Sequence, residues 1–570
     1  MSDVFGFRIR VISFFVLLLG LLFGVKLFWL QIIHGHEYSS QADRQYVTPE
    51  GAQFDRGTIF FKKKNGEMVS AASLLRGFTL AMNPKLVKDE EAVFTKLQVI
   101  LPELNRDEFI AQVAKKDDSY EEIATRINED QAAQVKALKI PGVTLYRMSS
   151  RFSPSGTIAP HAIGFVSYKG DDLIGRYGIE RSYNDVLSRT SSRLYVNFFA
   201  EVFSHITDLS SDESPTEGDV ITNIEPAVQT SLQNELELAR ERWNSDRTMG
   251  IVMDPKTGKI VAMASTPGFD INNYRTESSV SIFNNPLVES AFEMGSIMKP
   301  LILATALDQG TVTAETRYTD TGSVRVGDRT IRNFDKKGRG NVNMQTVLNQ
   351  SLNTGMVFIM SSMERSKFRD QFVNFGFAEK TGIDLPAEIG GITGNLKSNR
   401  EVEYANISFG QGIAVTPIGM IRAMAALANG GKILEPHIVD SIEYQDGSRK
   451  EIPVKEIKQV IKPETSAEIT RMMINVFDNY FNGAKKLDHY SIAGKTGTAQ
   501  IADHTTGGYY SDRNMHTFVG YFPAYDPQFI IFLLNEYPKN GAEFSSQTLI
   551  DPFLSITKFL INYYNIPPDR

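Results

Sequence analysis

Three short strings in fixed order hold the residues able to do chemistry in this chain: Ser296-Ile297-Met298-Lys299, Ser351-Leu352-Asn353 and Lys495-Thr496-Gly497. At average residue usage, a Ser-x-x-Lys or a Ser-x-Asn arises by chance about once or twice in a chain of this length. The third string is rarer, and it sits inside the longer run Ala493 to Gln500. The chemistry these residue types suit is acyl transfer. A serine hydroxyl is a poor nucleophile until a base removes its proton. Lys299 is the candidate base, three residues from Ser296 and so on the same face of a helix. With an unperturbed pKa near 10.4, roughly one lysine in a few thousand is neutral at pH 7, so the site must lower that value by burial and a nearby cation. Lys495 is the candidate cation and a ligand for a substrate carboxylate, and Ser351 is placed to relay a proton to a leaving amine. The Asn353 amide suits either holding Lys299 or binding a substrate backbone. Backbone amides of Ser296 and Thr498 are the candidate oxyanion hole.

The elements that must position these groups follow from the flanking pattern. Ser296 follows Gly295 and opens the apolar run Ile297, Met298, Leu301, Ile302, Leu303, Ala304, Leu307, which predicts a buried helix ending near Gly310. Pro300 falls in its first turn, where backbone donors lack partners in any case. The helix amino terminus adds a positive end where an oxyanion forms. Lys495 to Gln500 alternates as an edge strand does, with Gly497 expected to let a ligand backbone approach. Ser351 on its own reads as a helix cap, and Lys495-Thr496-Gly497 on its own as a turn; their conjunction carries the catalytic reading.

At 570 residues the chain exceeds a single core, so two or more domains are expected besides any membrane segment. A net charge of -7 leaves no basic footprint for nucleic acid, and Lys62-Lys63-Lys64 before Asn65-Gly66 reads as a solvated hairpin tip. The absence of cysteine excludes disulfides, thiolate metal sites and cysteine nucleophiles, and the histidines show no HExxH spacing that would support a metal site.

Residues 11 to 33 are almost wholly apolar. As a helix they would extend about 35 Å, enough for a hydrocarbon core of about 30 Å. Arg8 and Arg10 before the run, with no small-x-small cleavage site soon after it, predict an uncleaved anchor, a cytoplasmic tail over 1 to 10 and the rest of the chain outside the cytoplasm. Lys26 interrupts the run and is expected to snorkel toward the outer interface beside Trp29. From 35 to 219 the pattern alternates between short strands, at 54 to 60 and 78 to 82, and polar helices between 89 and 138. Glu180 in that module reads as a surface or interdomain ion pair rather than a catalytic group. The polar stretch 210 to 217 reads as a linker, and a second domain follows over 220 to 570. Its expected elements are a helix over 227 to 243, a hairpin of 250 to 253 with 259 to 265, a second of 517 to 522 with 529 to 534, and a last helix over 552 to 564. Strands early and late around a helical middle predict one antiparallel sheet flanked by helices, an α+β arrangement.

With these strings in place the chain resembles the class B penicillin-binding proteins, the monofunctional peptidoglycan D,D-transpeptidases. Further matching strings are Leu27 to Gln31, Arg56-Gly57-Thr58-Ile59, Gly178-Ile179-Glu180 before Tyr183, Gly258 to Met263, and Phe409-Gly410-Gln411-Gly412 before Thr416-Pro417. Gly494 to Gln500, with Phe518 to Pro523 and Tyr537-Pro538-Lys539, looks more like the division-specific FtsI type than the elongation type. The resemblance implies a serine β-lactamase-like transpeptidase domain with an all-helical subdomain, an α/β pedestal of the penicillin-binding protein dimerisation kind, and one transmembrane helix in the inner or plasma membrane. It implies a Ser296 acyl-enzyme, donor stem peptides ending in D-Ala-D-Ala, inhibition by β-lactams and no cofactor. It further implies a lipid bilayer around the anchor, and as partners a membrane glycosyltransferase of the shape, elongation, division and sporulation (SEDS) class and other divisome proteins. Met294 stands where the family commonly has proline, and Phe152-Ser153-Pro154 replaces a more usual aromatic pair. Neither departure removes a catalytic group. The competing readings are a β-lactamase, against which no Glu-x-x-Leu-Asn string is found, and a non-enzymatic β-lactam sensor or division scaffold.

Overall fold

The computed structural model describes residues 55–170, 172–189, 216–503, 505 and 507–570, together with 20, 23 and 26. Among the described residues no helix is long and apolar enough to cross a membrane. The apolar run 11 to 33 lies outside them apart from Gly20, Phe23 and Lys26, as do Phe54 and the linker stretch up to 215.

Among the described residues two compact units interleave along the chain, one holding 55 and 75–150, the other 56–74, 151–189 and 216–570. In the first, helices Glu90–Ile100, Arg106–Val113 and Glu129–Ala137 bury Phe94, Leu97, Phe109, Val113 and Val135 against Leu80, Met82, Ile123 and Ile127 of the strands. The helices start where side chains satisfy their first free amides: Asp89, Asn105 and Asn128 each accept from the following turn, and Gln131 closes a capping box with Asn128. The sequence pattern does not locate the strands Glu121–Ile127 and Val143–Phe152, because few of their positions are buried, Ile123 and Ile127 in the first and Ser149 in the second, and no apolar alternation marks them.

The second unit is built on a five-stranded antiparallel sheet. In chain order its main elements are helix α1 (Pro226–Trp243), strands β1 (Arg247–Met253) and β2 (Ile260–Thr266), helices α2 (Lys299–Asp308), α3 (Asn353–Ser361), α4 (Pro417–Ala428) and α5 (Pro463–Asp478), strands β3 (Ala493–Asp503), β4 (Gly508–Phe522) and β5 (Phe529–Glu536), and helix α6 (Ser545–Tyr564). The strand order is β3-β4-β5-β1-β2, so β3 is an edge strand, as its alternation predicts. Strand β5 shows how both faces are buried. Phe529, Ile531 and Leu533 join the core under α1 and α6, while Ile530, Phe532 and Leu534 join the larger core under α2, α4 and α5. A sheet covered on both sides explains the unbroken apolar run Phe529 to Leu534.

Several boundaries differ from the sequence expectation. The first strand of the second unit is Ile59–Lys62 rather than 54 to 60; before it Gly57 N–H bonds Leu187 O at 2.7 Å and Arg56 forms an isolated bridge with Ser188. Strand Ile59–Lys62 turns at Asn65-Gly66 into Met68–Met82, as the hairpin reading required. Helix α6 begins at Ser545, not 552: Pro552 lies inside it and costs one helical hydrogen bond instead of marking the first turn.

Glu180 is the larger correction. Its side chain is wholly buried, not at a surface. Its carboxylate takes Arg56 Nε at 2.6 Å and Arg151 Nε at 2.5 Å, its carbonyl takes Arg56 at 2.8 Å, and Arg151 also reaches Gly57 O at 2.7 Å. Burial alone would raise the Glu180 carboxyl, but the charges and hydrogen bonds of Arg151 and Arg56 outweigh it and hold the group below the ordinary carboxylate range. One carboxylate serves two guanidiniums, so Arg151 is itself pushed down by burial. Removing Glu180 leaves two buried cations uncompensated, a loss of about 3–5 kcal/mol. The expected result for Glu180→Ala is a thermal midpoint several degrees lower; an unchanged midpoint refutes the structural role. A carboxyl depressed in the folded state stabilises above its unfolded pKa of about 4.3 and loses that contribution as pH falls through the lower folded value. The deficit of Glu180→Ala in urea melts should therefore shrink below pH 4.

Candidate active site

Ser296 lies on a turn held from both sides by close backbone packing. Gly295–Met298 is a single 3-10 turn that runs into α2 at Lys299, so the nucleophile precedes the α-helix instead of opening it; Pro300 falls in the first turn as expected. Gly295 has φ +61°, its N–H bonds Gly410 O at 3.0 Å, and a Cβ there would sit 2.8 Å from Thr498 O. Phe292 and Val415 exchange two backbone bonds of 2.9 Å, and Thr517 Oγ1 donates to Met294 O at 2.9 Å. A Cβ on Gly497 would lie 2.4 Å from Thr517 Oγ1 and 2.7 Å from Met294 O. Gly497 is therefore needed for β3 to pack against the nucleophile turn, which replaces the expectation that it faces a ligand.

Lys299 is completely buried and points at the second string. Its Nζ donates to Ser351 O at 2.6 Å, Asn353 Oδ1 at 2.8 Å and Ser351 Oγ at 3.1 Å. Ser351 has φ +52°, a left-handed conformation that turns its carbonyl and its hydroxyl to the same ammonium. Lys495, 2% exposed, reaches the same Ser351 Oγ at 3.2 Å and Thr496 O at 2.9 Å. Of the two roles open to Asn353, its carbonyl takes the holding one, and its amide donates to Arg332 O at 3.0 Å. Ser296 is partly exposed, and its hydroxyl is not among the acceptors of Lys299. The lysine reaches Ser351 and Asn353, not the nucleophile, before substrate arrives.

The electrostatics follow from this packing. Lys299 is pushed well below its ordinary value, first by burial and then by the charge of Lys495. Lys495 is lowered to about 7 by burial. Once Lys299 is neutral its amine carries a lone pair, and Ser351 Oγ is the one of its three acceptors that can reverse direction and donate.

Several supporting residues had no sequence signal. Asp320, Asn333 and Thr354 form a buried network behind Asn353: Thr354 Oγ1 donates to Asp320 Oδ1 at 2.8 Å, and Asn333 Nδ2 donates to both Asp320 oxygens at 3.0 Å. Glu293 accepts from Gly412 N–H at 2.9 Å and from Tyr509 Oη at 2.9 Å, tying the β3–β4 hairpin to the nucleophile turn. Tyr480 accepts Thr496 N–H at 3.0 Å. That bond fixes the parity of the edge strand. Thr496 N–H points away from β4, so Thr498 N–H, two residues on, points to the same open side. Gly295 and Thr498 are in close approach, which brings the Ser296 and Thr498 amides onto adjoining segments.

The penicillin binding protein transpeptidase domain model matches residues 248–554, and the penicillin-binding protein dimerisation domain model matches 55–221. The chain belongs to the class B penicillin-binding proteins. It is 30% identical to stage V sporulation protein D of Bacillus subtilis, over 93% of this chain and 82% of that one. It is 28% identical to peptidoglycan D,D-transpeptidase MrdA of Acinetobacter baumannii over 90% and 82%, and 25% identical to peptidoglycan D,D-transpeptidase FtsI of Escherichia coli over 95% and 89%. Penicillin-binding protein 2X of Streptococcus thermophilus shares the fold with a TM-score of 0.71 at 22% identity, covering 90% of this chain and 81% of that one. Penicillin-binding protein 3 of Mycobacterium tuberculosis, solved with aztreonam, does so with a TM-score of 0.68 at 21% identity, over 91% and 98%.

With Lys299 as the candidate base and Lys495 as the cation beside it, acylation is expected to need Lys299 neutral and Lys495 charged. The acylation rate should rise with pH as Lys299 loses its proton and fall near pH 7 as Lys495 loses its own, the two titrating as a coupled pair. Lys495→Ala removes the cation that depresses Lys299, so the ascending limb should move to higher pH. Lys495→Arg, whose guanidinium does not titrate in this range, should lose the descending limb near 7. Stopped-flow acylation by an activated ester reads both limbs, and profiles that superimpose across the variants refute the assignment.

Proposed function

We propose that this chain is a peptidoglycan D,D-transpeptidase. In this reading Ser296 attacks the penultimate D-Ala carbonyl of a donor stem peptide, D-Ala leaves, and an amine from a neighbouring stem resolves the acyl-enzyme. The observation that carries it is Ser351 Oγ held between the buried Lys299 and Lys495, at 3.1 and 3.2 Å, with the partly exposed Ser296 on the turn that precedes Lys299. Lys299 is the base toward Ser296. Ser351 carries the proton to the leaving amine, which balances the step: the Ser296 proton departs with D-Ala. Lys495 and Thr496 hold the terminal carboxylate, Asn353 keeps Lys299 oriented, and the amides of Ser296 and Thr498 take the oxyanion, with Gly497 setting the strand against the turn. A β-lactam presents the same carboxylate and a strained acyl group, so it acylates Ser296. The relatives named as D,D-transpeptidases support this reaction class.

We assign the chain to septal synthesis on the string Gly494 to Gln500 with Phe518 to Pro523, and place residues 11 to 33 as a single anchor with the catalytic domain outside the cytoplasm. Its partners in this reading are a SEDS-class glycosyltransferase and the divisome. Depletion should then give filaments; round cells would move the chain to elongation.

Intact-mass spectrometry after benzylpenicillin, with peptide mapping, is the first test of the site. A stable adduct on Ser296 that Ser296→Ala abolishes, together with D-Ala release by the wild type, is the expected result. Drug consumed without an adduct identifies a β-lactamase, and intact drug without an adduct identifies a scaffold.

A further inference from the structure

The residue after Lys495 is held by a side chain outside the three strings. Tyr480 follows α5 on the short turn Tyr480–Gly483, and its ring meets Phe477 edge-on at 5.8 Å. The turn is set by two consecutive non-glycine residues in the left-handed region, Phe481 at φ +53° and Asn482 at φ +55°. Its hydroxyl makes two contacts with one residue: it accepts Thr496 N–H at 3.0 Å and lies 3.0 Å from Thr496 Oγ1.

Counting protons decides the direction of the second contact. A phenol carries one proton and can accept on its oxygen. Among the described residues Thr496 Oγ1 is the one acceptor within reach of that proton. If Thr496 donated instead, the phenolic proton of this half-buried side chain would have no protein partner among the described residues and would be left to water. Tyr480 donating to Thr496 Oγ1 is the arrangement that gives that proton a protein partner. Burial raises its pKa to about 12, so the proton is retained through the working range. With its oxygen occupied as an acceptor, the threonine hydroxyl has its own proton left to offer. That proton is directed away from Tyr480, on the segment where Lys495 supplies a positive charge.

We propose that Tyr480 is a positioning residue that orients the Thr496 hydroxyl as a donor to the substrate carboxylate and holds the Thr496 amide out of pairing with substrate. Peptide ligands then add to the β3 edge from Thr498, opposite the nucleophile turn. The inference rests on the proposed role of Lys495 and Thr496 in carboxylate binding.

The test compares benzylpenicillin with its methyl ester, which keeps the acylating ring and lacks the carboxylate. Tyr480→Phe keeps the ring against Phe477 and removes the hydroxyl alone. It should lower the second-order acylation constant for benzylpenicillin about tenfold, the effect of one hydrogen bond to a charged group, leave the methyl ester unchanged, and leave the pH limbs where they are. Thr496→Val should reproduce that loss, and the double variant should be no worse than Thr496→Val. Equal losses for acid and ester, additive losses in the double variant, or no loss overturn the proposal. Calorimetric binding of the two compounds to a Ser296→Ala background should show the same split without acylation. A wild type that is never acylated but still shows this split in binding refutes the transpeptidase reading and leaves the role of Tyr480 standing.

Discussion

Two ammonium groups converge on one hydroxyl inside the protein, and most of the second unit is organised around that arrangement. Lys299 and Lys495 are both removed from water, and among the described residues neither pairs with a carboxylate: their partners are the carbonyls and hydroxyl of Ser351, Asn353 and Thr496. An acid in that position would stabilise both charges and keep Lys299 protonated. Neutral acceptors satisfy the donors without restoring the lost hydration, so burial is the leading cause of depression for each lysine and their mutual repulsion adds to it at Lys299. The cost of holding this pair is what pushes both lysines below their ordinary values.

Such a pair is useful only if its surroundings do not relax, and the segments around it are packed at backbone distance. Gly295, Gly410 and Gly497 each stand where a Cβ would come within 2.8 Å of a neighbouring atom, the last two considerably closer. These contacts join the nucleophile turn, the 410–415 loop and β3 with no side-chain layer between them. Met294 sits in this frame at φ -84°, close to the angle that proline would impose, so the departure from the family pattern leaves the turn's backbone course intact. On the other side, past the left-handed Ser351, the buried Asp320, Asn333 and Thr354 group holds the start of α3, where Asn333 Oδ1 accepts Thr354 N–H at 3.2 Å. Hydrogen bonds and sterics here replace the adaptability of an apolar core.

How much of this was legible in the sequence depends on the kind of signal. Ser296, Lys299, Ser351, Asn353 and Lys495 are recognisable because each motif places its chemistry at fixed short spacing, and the helices and strands around them because apolar periodicity records one buried face. Burial of polar residues leaves no such trace. Glu180 stands among charged and polar neighbours and reads as a surface or interdomain ion pair; the ion pair is there, but buried, with Arg56 and Arg151 reaching it from other segments of the chain. Tyr480, Thr517 and Asp320 act through contacts with no constant spacing from the residues they support. Gly497 was visible as an exception in an alternating strand, but alternation alone does not say whether the space it leaves is filled by a ligand or by the protein. Helix α6 starts before the expected position at Pro552, because packing over the sheet holds the helix together through that proline.

The open edge of the sheet ties these features together. An unpaired edge strand is ordinarily a liability, since its free donors and acceptors invite pairing with another chain. Here β4 takes one side of β3, and Tyr480 covers the outward amide at Thr496. The next outward amide, at Thr498, lies where Gly295 brings the nucleophile turn close against the strand. Because backbone amides alternate in direction along a strand, the Thr498 amide shares the outward side of the Thr496 amide, while the Lys495 side chain reaches Ser351. One strand thus supplies the buried cation and the outward donor, and their separation is fixed by backbone geometry. A sheet buried on both faces holds that strand rigid, which is the physical reason why catalytic groups from the helical middle and from the late hairpin can be brought to one point.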